Sequence, residues 1–309
     1  MTIGIQKITV HRAESFLNNL EQRSTFDVNE DFLVNKVGML KLRRMGKEQD
    51  CTDLGVAAVL PLFEKHGLLP EDVECLVVVS QNPDGYGLPH SSAILHQKLG
   101  LEESCVVFDV SLGCTGFVQG LSIAKSFMEG QGFSNGLLVT ADPYSKIIDE
   151  ADRDTAMLFG DGATATWLSD TPQWQVGPFD FGTRSRDYKA LHVKADGFLE
   201  MNGRAVFNFA ASQVPLSVKR LLTKAGVDIT EVDMFLLHQG SRYIVETIAA
   251  RLGVPERTPF VAADYGNTVS SSVPMLLAEH VAEDAERLLL SGFGVGLAWA
   301  SCLLERSKC

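Results

Sequence analysis

Short apolar runs rich in β-branched residues alternate along the chain with longer amphipathic stretches. This alternation is typical of α/β proteins, in which helices pack on sheets. The pattern predicts strands at residues 75–80, 105–110, 136–141, 163–168, 234–238, 287–291 and 296–304. It predicts helices at residues 53–66, 91–99, 115–129, 207–225, 242–252 and 271–283.

A weak internal repeat divides the chain. The strand at 77–81 and the helix after it resemble the strand at 235–239 and its helix, and residues 160–167 parallel residues 292–299. The segment that leads to Cys114 likewise parallels the segment that leads to Asn267. Two copies of one supersecondary plan indicate a duplicated fold.

The repeat predicts two halves, residues 1–170 with Cys114 and residues 171–309 with Asn267 and His238. A pseudo-twofold axis between such halves would bring the turns of Cys114 and Asn267 together. His238 ends a strand before a helix, so we expect it at the same edge of the sheet.

Composition narrows the class of protein. The chain has 309 residues, of which 45% are hydrophobic and 21% charged, a balance that suits a globular fold with a sizeable core. It contains no apolar run of about 18 residues, and its first residues lack the pattern of a signal peptide, so we expect a cytoplasmic protein with no membrane partner. A formal charge of -12 argues against nucleic acid.

The six cysteines show no paired CxxC spacing, which supports neither a disulfide framework nor a metal site. We expect Cys302 to be a core residue and Cys309 to belong to the tail.

Cys114 lies between Gly113 and Gly116 where an apolar strand passes into a helix. Such a turn is expected to expose the sulfur at a helix N-terminus, where free N–H groups and the helix dipole stabilise a thiolate. The glycines leave space for a substrate to approach the backbone. Cys114 therefore suits covalent catalysis, the alternative being a buried structural cysteine.

His238 and Asn267 each have a simpler interpretation when taken alone. A histidine at a strand end is often only a hydrogen-bonding residue, and Gly-Asn before Thr often marks a turn or a helix cap. Their expected position around one crevice with Cys114 favours a role in catalysis.

These residues stand in motifs whose order and spacing resemble the β-ketoacyl-acyl-carrier-protein synthase III family of the thiolase superfamily. The resemblance covers nearly the whole chain and is carried by the segments 110–117, 159–163, 201–207, 237–239, 265–268 and 292–299. It implies a thiolase-like fold, with the two halves in a five-layered α-β-α-β-α arrangement, and a homodimer.

The resemblance also implies a reaction. Cys114 would take an acyl group from acyl-CoA, with the backbone N–H groups of Cys114 and Val295 as oxyanion hole. His238 and Asn267 would then hold the carbonyl of a malonyl thioester during a decarboxylative Claisen condensation to a β-ketoacyl product. Acyl-CoA is a substrate here, and no cofactor or metal is expected.

Coenzyme A contacts follow by the same resemblance. Phe32 and Arg153 match the two residues that sandwich the adenine in relatives, although an edge aromatic and a solvated charge would look the same in sequence. The remaining expected contacts are Gly203, Phe207 and Ser241 for coenzyme A, and Leu88, Phe159 and Val295 for the substrate pocket. Leu88 matches a residue that reaches into the partner's acyl pocket.

Some positions depart from the family pattern. Ser241 replaces an asparagine that contacts pantetheine, while Asn208 and Tyr243 replace basic residues that attract acyl carrier protein. It stays open whether the malonyl group arrives on acyl carrier protein or on CoA. An alternative function is transfer of the acyl group to another oxygen, nitrogen or carbon nucleophile in specialised metabolism. A catalytically silent subunit would be expected to lack one of the three catalytic residues, and none is missing.

Overall fold

A nine-stranded sheet system dominates the computed structural model, which describes residues 2–308. Its strands are β1 (Gly4–Arg12), β4 (Cys75–Val79), β5 (Val106–Val110), β6 (Asn135–Ala141), β7 (Gly162–Ser169), β8 (Trp174–Thr183), β11 (Met234–Leu237), β12 (Arg287–Gly294) and β13 (Ala298–Arg306). Two ribbons pair β2 (Ser15–Asn18) with β3 (Lys41–Arg44) and β9 (Leu191–Val193) with β10 (Leu199–Met201).

Seven α-helices lie among residues 2–308. They are α1 (Cys51–Lys65), α2 (Ser91–Leu99), α3 (Gly116–Gln131), α4 (Arg153–Ala156), α5 (Gly203–Ala225), α6 (Arg242–Leu252) and α7 (Ser272–Glu279). A π-helical segment, Phe32–Val37, precedes β3. None of these helices is both long and apolar enough to cross a membrane.

The strand order shows the same plan twice. From the junction outward, one side runs β1-β7-β6-β4-β5 and the other β8-β13-β12-β11, so corresponding strands have corresponding neighbours. The two sides join through Ile5 of β1 and Trp174 of β8. The second side has no counterpart of β5 among the described strands, and the chain makes a 3₁₀ turn over Ala262–Asp264 there. The predicted division at residues 170 and 171 falls between β7 and β8 and stays a prediction.

The helices form three layers around the strands. Helices α3 and α7 contact strands of both sides and make the central layer, whereas α1 and α2 cover one outer face and α5 and α6 the other. This arrangement confirms the thiolase-like α-β-α-β-α fold expected from the sequence.

The close approach of α3 to β4 places the start of that helix in the centre of the molecule. All five residues of β4 are buried, as a strand covered on both faces requires. A Cβ at Gly116 or Gly120 would lie 2.5 or 2.9 Å from the Val79 side chain, so only glycine allows this packing. Cys114, just before α3, is therefore fixed against the sheet.

Several sequence predictions need correction. Strands β1 and β8 were not predicted, and the helix expected at 271–283 ends at Glu279 after a 3₁₀ turn over Val269–Ser271. Cys302 is fully buried in the core, as predicted, and Cys309 lies outside the described residues.

Candidate active site

One cavity of about 760 Å³ receives side chains from both halves of the fold. Cys114, His238 and Asn267 all line it, as the repeat predicted. Phe32, Arg153, Phe159, Gly203, Phe207 and Ser241 line it as well. Its mixture of apolar walls and a few polar groups is typical of a small-molecule site.

The Cys114 sulfur is more enclosed than the sequence predicted. The residue is 5% exposed, and a Cβ added to Gly294 would lie only 2.6 Å from Sγ. Burial raises the pKa of the Cys114 thiol to about 12, although the backbone N–H groups of Val295 and of Cys114 itself lower it. The prediction of an exposed thiolate is therefore wrong for the resting protein. Loss of hydration raises the pKa of the thiol by more than the N–H groups at the helix start lower it.

His238 follows β11, and its backbone N–H donates to Ser291 on neighbouring β12. Its Nδ1 lies 2.6 Å from the hydroxyl of Ser272, and its ring packs edge-on against Phe293. Burial lowers the pKa of His238 to about 3, opposed by the nearby Val269 carbonyl, so the imidazole is neutral.

The orientation of the Ser272 hydroxyl is linked to which nitrogen of His238 carries the proton. Its possible acceptors are Nδ1 at 2.6 Å and the Val269 carbonyl at 3.1 Å. That carbonyl already accepts the backbone N–H of Ser272. A carbonyl oxygen can accept two hydrogen bonds, so these distances fit two arrangements. Either the hydroxyl donates to Nδ1 and the ring proton is on Nε2, or the hydroxyl donates to Val269 and accepts the proton of Nδ1.

Asn267 is held by its backbone and by one side-chain oxygen. Its N–H donates to Leu158 and its carbonyl accepts from Gly160, which fixes the turn to the other half of the fold. Its Oδ1 accepts the N–H of Val269 at 2.9 Å. The Nδ2 group is thus the free donor. With the ring proton of His238 on Nε2, the site offers two uncommitted N–H donors, Nε2 of His238 and Nδ2 of Asn267.

The expected coenzyme A residues lie towards the mouth of the cavity. Phe32, in the π-helical segment, is 38% exposed, and the guanidinium of Arg153 lies 3.5 Å from Asp154. Gly203 starts α5, and the Ser241 hydroxyl caps α6 by accepting the N–H of Ile244. Since that bond leaves the Ser241 hydroxyl proton free, Ser241 keeps a donor for a ligand.

An aromatic stack lies at the same mouth. Phe207 and Tyr243 stack with ring centroids 5.1 Å apart, and Nζ of Lys36 lies 3.8 Å from the Tyr243 centroid. Arg242 and Arg251, which lie near this position in sequence, donate to the carbonyls of Val34 and Ala211. The cations that line the cavity are instead Lys36, Arg153 and Arg204.

The expected pocket residues occupy different surroundings. Phe159 lines the cavity and packs against Tyr144 with ring centroids 5.0 Å apart. Val295 contributes its backbone N–H to the sulfur, while its side chain faces Gly113 outside the cavity lining. Leu88 is 87% exposed and lies outside the cavity of its own chain.

Sequence reasoning missed the groups that hold the site together. Ser272 ends a run of three serines that begins three residues after Asn267, and Asp142 directly follows a buried strand, so position was a usable signal for both. Gly294 lies within the segment 292–299, which carries both the repeat and the family resemblance, but neither indicates that this glycine borders the sulfur. Residues 2–308 contain no cluster of three or more His, Cys, Asp or Glu side chains suited to a metal.

Fold and site together define a thiolase-fold protein with a cysteine opposite two N–H donors. Models of 3-oxoacyl-acyl-carrier-protein synthase III match residues 108–185, and those of its C-terminal part match residues 222–306. The β-ketoacyl-acyl-carrier-protein synthase III of Streptococcus pneumoniae is 30% identical over 320 aligned positions, covering 97% of this chain and 98% of the relative.

Solved structures agree with this assignment. A crystal structure of 3-oxoacyl-acyl-carrier-protein synthase III has a TM-score of 0.90 and 32% identity, covering 99% of this chain and 100% of that one. The 3-oxoacyl-acyl-carrier-protein synthase of Burkholderia xenovorans has a TM-score of 0.91 and 29% identity, covering 99% and 95%. The chain belongs to the 3-oxoacyl-acyl-carrier-protein synthase III family.

Proposed function

We propose that this protein condenses an acyl group, taken from acyl-CoA onto Cys114, with a malonyl thioester to give a β-ketoacyl thioester. The observation that carries the proposal is that one cavity holds the enclosed sulfur of Cys114, the imidazole of His238 and the free amide group of Asn267; we propose that the ring proton of His238 is on Nε2. Family membership supports the same reaction. No feature of the cavity favours the alternative transfer to another oxygen, nitrogen or carbon nucleophile in specialised metabolism.

In the first step the Cys114 sulfur attacks the thioester carbonyl of acyl-CoA, and coenzyme A leaves. The N–H groups of Cys114 and Val295 already lie at the sulfur, where they can bind the oxygen of the tetrahedral intermediate. Because the resting group is a thiol, its proton must leave as the bond forms. The coenzyme A thiolate that departs is a suitable final acceptor.

In the second step the malonyl thioester binds with its carbonyl oxygen between Nε2 of His238 and Nδ2 of Asn267. Loss of carbon dioxide places negative charge on that oxygen, and two preorganised donors stabilise the enolate. Because burial lowers the pKa of His238, its imidazole is neutral. It therefore donates its N–H as a hydrogen bond and does not transfer the proton to the enolate. The enolate carbon then attacks the acyl-cysteine and releases the Cys114 sulfur.

A two-stage assay tests the reaction. Acyl-CoAs of several lengths are incubated with the protein, and the Cys114 peptide is weighed by mass spectrometry. The acylated enzyme is then given malonyl-CoA or malonyl-acyl carrier protein, and carbon dioxide is measured. We expect an adduct on Cys114 and then carbon dioxide. Absence of any adduct, or release of carbon dioxide by Cys114→Ser at the wild-type rate together with product, would contradict the proposal.

Residues at the mouth of the cavity indicate which carrier delivers each acyl group. Phe32 and Arg153 are proposed to hold the adenine of coenzyme A, with Gly203, Phe207 and Ser241 along the pantetheine path. Three cations, Lys36, Arg153 and Arg204, line the cavity against two carboxylates, Asp154 and Glu200, which leaves a small positive balance on a chain of net charge -12; this balance suits an acidic carrier protein. Comparing kcat/KM for the two malonyl donors, each at low and high salt, decides between them.

A homodimer is proposed from the outer face of β5. This edge strand pairs with β4 alone among the described strands, and Val106 on it is 38% exposed. Leu88 and Tyr86, both largely exposed, lie on the loop between β4 and α2. Strand edges with exposed apolar residues favour pairing between chains. Light scattering after size exclusion should give twice the chain mass, whereas a stable monomer would contradict the proposal.

A cytoplasmic location and catalysis without a cofactor remain predictions.

A further inference from the structure

A buried carboxylate without a cationic partner lies behind the active site. Asp142 follows β6 and is fully buried. Its Oδ1 accepts the N–H of Gln81 at 2.7 Å, and its Oδ2 accepts the hydroxyl of Ser270 and, at 3.4 Å, the N–H of Ser270. The Ser80 side chain bonds it as well, and burial raises the pKa of Asp142 to about 6. A buried charge of this kind is costly, and the reaction steps above do not use it.

The carboxylate joins the two halves of the fold at a critical loop. Ser270 lies between Asn267 and Ser272, and the latter bonds to His238. The same loop has a second anchor, because the Ser271 hydroxyl bonds to Thr140 on β6. Both uncommitted donors of the active site therefore depend on where this loop is held.

We propose that Asp142 is a positioning residue for the condensation step. By holding Ser270, it fixes the loop that presents Asn267 directly and His238 through Ser272 to the malonyl carbonyl. This inference rests on the proposed function, since it assigns the two donors to the second half of that reaction.

The carboxylate of Asp142 also affects Cys114, but there its charge opposes the reactive form of the group. The titratable groups that face Asp142 are Cys114, Tyr144 and Cys51, and its negative charge raises the pKa of each. Asp142 thus disfavours the thiolate of Cys114 while it supports the donors for condensation. Removing the charge should affect the two half-reactions in opposite directions, which general damage to the fold does not do.

Asp142→Asn is the informative substitution because it keeps the shape and removes the charge. The new Oδ1 can still accept the N–H of Gln81. The new amide group faces the hydroxyl and N–H of Ser270, so that backbone N–H loses its acceptor and the hydroxyl must turn. The bond to the Ser270 backbone N–H is lost and the bond to the Ser270 hydroxyl is reversed, so the hold on the loop is weakened while the bond to Gln81 stays.

Thr164→Val provides a matched control. The Thr164 hydroxyl is fully buried and bonds to Thr140 at 2.7 Å, so it is one hydrogen bond away from the Ser271 anchor and makes no direct hydrogen bond to the loop or to Cys114. Both variants lose one hydrogen bond of the same buried cluster. Thermal unfolding shows that each is folded before rates are compared.

The test measures alkylation of Cys114 by iodoacetamide and release of carbon dioxide by acylated enzyme given a malonyl thioester. For Asp142→Asn we expect faster alkylation and a condensation rate lower by about 10- to 100-fold, the cost of misplacing reacting groups by about 1 Å. Thr164→Val should leave both rates close to wild type. Slower condensation without slower alkylation supports the inference. Unchanged condensation, or a fall in both rates together, overturns it.

Two further measurements separate this inference from the proposed function. If acylated wild-type protein releases no carbon dioxide from any malonyl thioester, the proposed function fails, and the loop is then followed by ¹⁵N NMR of the His238 ring. A shift of its resonances in Asp142→Asn supports the positioning role, and unchanged resonances overturn it. Where condensation does occur, Ser270→Ala should slow it. The condensation rate of the double variant should be no lower than that of Asp142→Asn alone, because both changes affect the same hydrogen bond between Asp142 and Ser270.

Discussion

Substituting Gly294 by Ala tests whether the space beside the Cys114 sulfur is essential. A Cβ at Gly294 would lie 2.6 Å from Sγ and 2.7 Å from Cβ of Cys114. Ordinary non-bonded contacts begin near about 3.5 Å, so the sulfur must move by the difference of about 0.9 Å, or the strand must move away. Movement of the strand is opposed by the backbone conformation, since Gly294 has a φ of +154°, a value that favours glycine.

A displacement of this size has a large effect on a reaction that depends on alignment. Misplacing reacting atoms by about 1 Å costs on the order of a hundredfold in rate, and we expect acylation of Cys114 in Gly294→Ala to fall by about that factor. The rate is followed by mass spectrometry of the protein at short times after addition of acyl-CoA.

Gly130→Ala is the control for this experiment. Gly130 belongs to α3, the helix that starts beside Cys114, and a Cβ there would meet nothing within 4 Å. This variant should be acylated at the wild-type rate and be slightly more stable, because alanine is the better helix former. If a well-folded Gly294→Ala were acylated as fast as Gly130→Ala, the idea that Gly294 gives the sulfur its space would be wrong.

Further predictions concern ionisation and the imidazole. Because burial raises the pKa of Cys114 to about 12, the alkylation rate should rise about tenfold per pH unit between about pH 7 and 9, and a plateau there would show a stable thiolate. Ser272→Ala removes the hydroxyl that contacts Nδ1 of His238, so ¹⁵N NMR should show a change in the protonation of that nitrogen, with condensation slowed and acylation kept. His238 has a lowered pKa, so the unfolded chain binds its proton first as pH falls. Relative to His238→Asn, the wild type should lose up to about 1.4 kcal/mol of unfolding free energy per pH unit from about pH 6.5 towards 3, measured by denaturant titration, and parallel curves would contradict a buried neutral ring.

Elements with clear local signals were predicted closely. Helices α2 and α6 have the bounds expected from sequence, because each ends at a glycine, Gly100 or Gly253, in the left-handed conformation that stops a helix. Strand β4 was evident from its continuous run of buried residues. Strand β8 alternates only partly and is half-exposed over much of its length, so its pattern gave no comparable signal.

The membership of the active site was predictable, but its electrostatics were not. The repeat placed Cys114 and Asn267 at equivalent turns, which is enough to predict that they meet. The pKa of Cys114 depends instead on Gly294, Val295 and the buried Asp142, which reach the sulfur from other strands and loops. Desolvation is a property of the assembled fold, so no pattern around Cys114 could show that it outweighs the helix N-terminus.

The two equivalent turns differ in a way that explains their different chemistry. After Cys114 the α-helix begins within two residues, so N–H groups gather at the sulfur and can bind an oxyanion there. After Asn267 the chain first makes a 3₁₀ turn, with Val269 at a φ of +52°, and α7 starts only at Ser272. In that turn the side-chain oxygen of Asn267 accepts the N–H of Val269, so the Nδ2 group of Asn267 stays free to donate. The same turn places Ser272 against His238. One copy of the repeat thus supplies the nucleophile with its oxyanion site, and the other supplies a separate pair of donors. A reaction with two successive carbonyl substrates requires both.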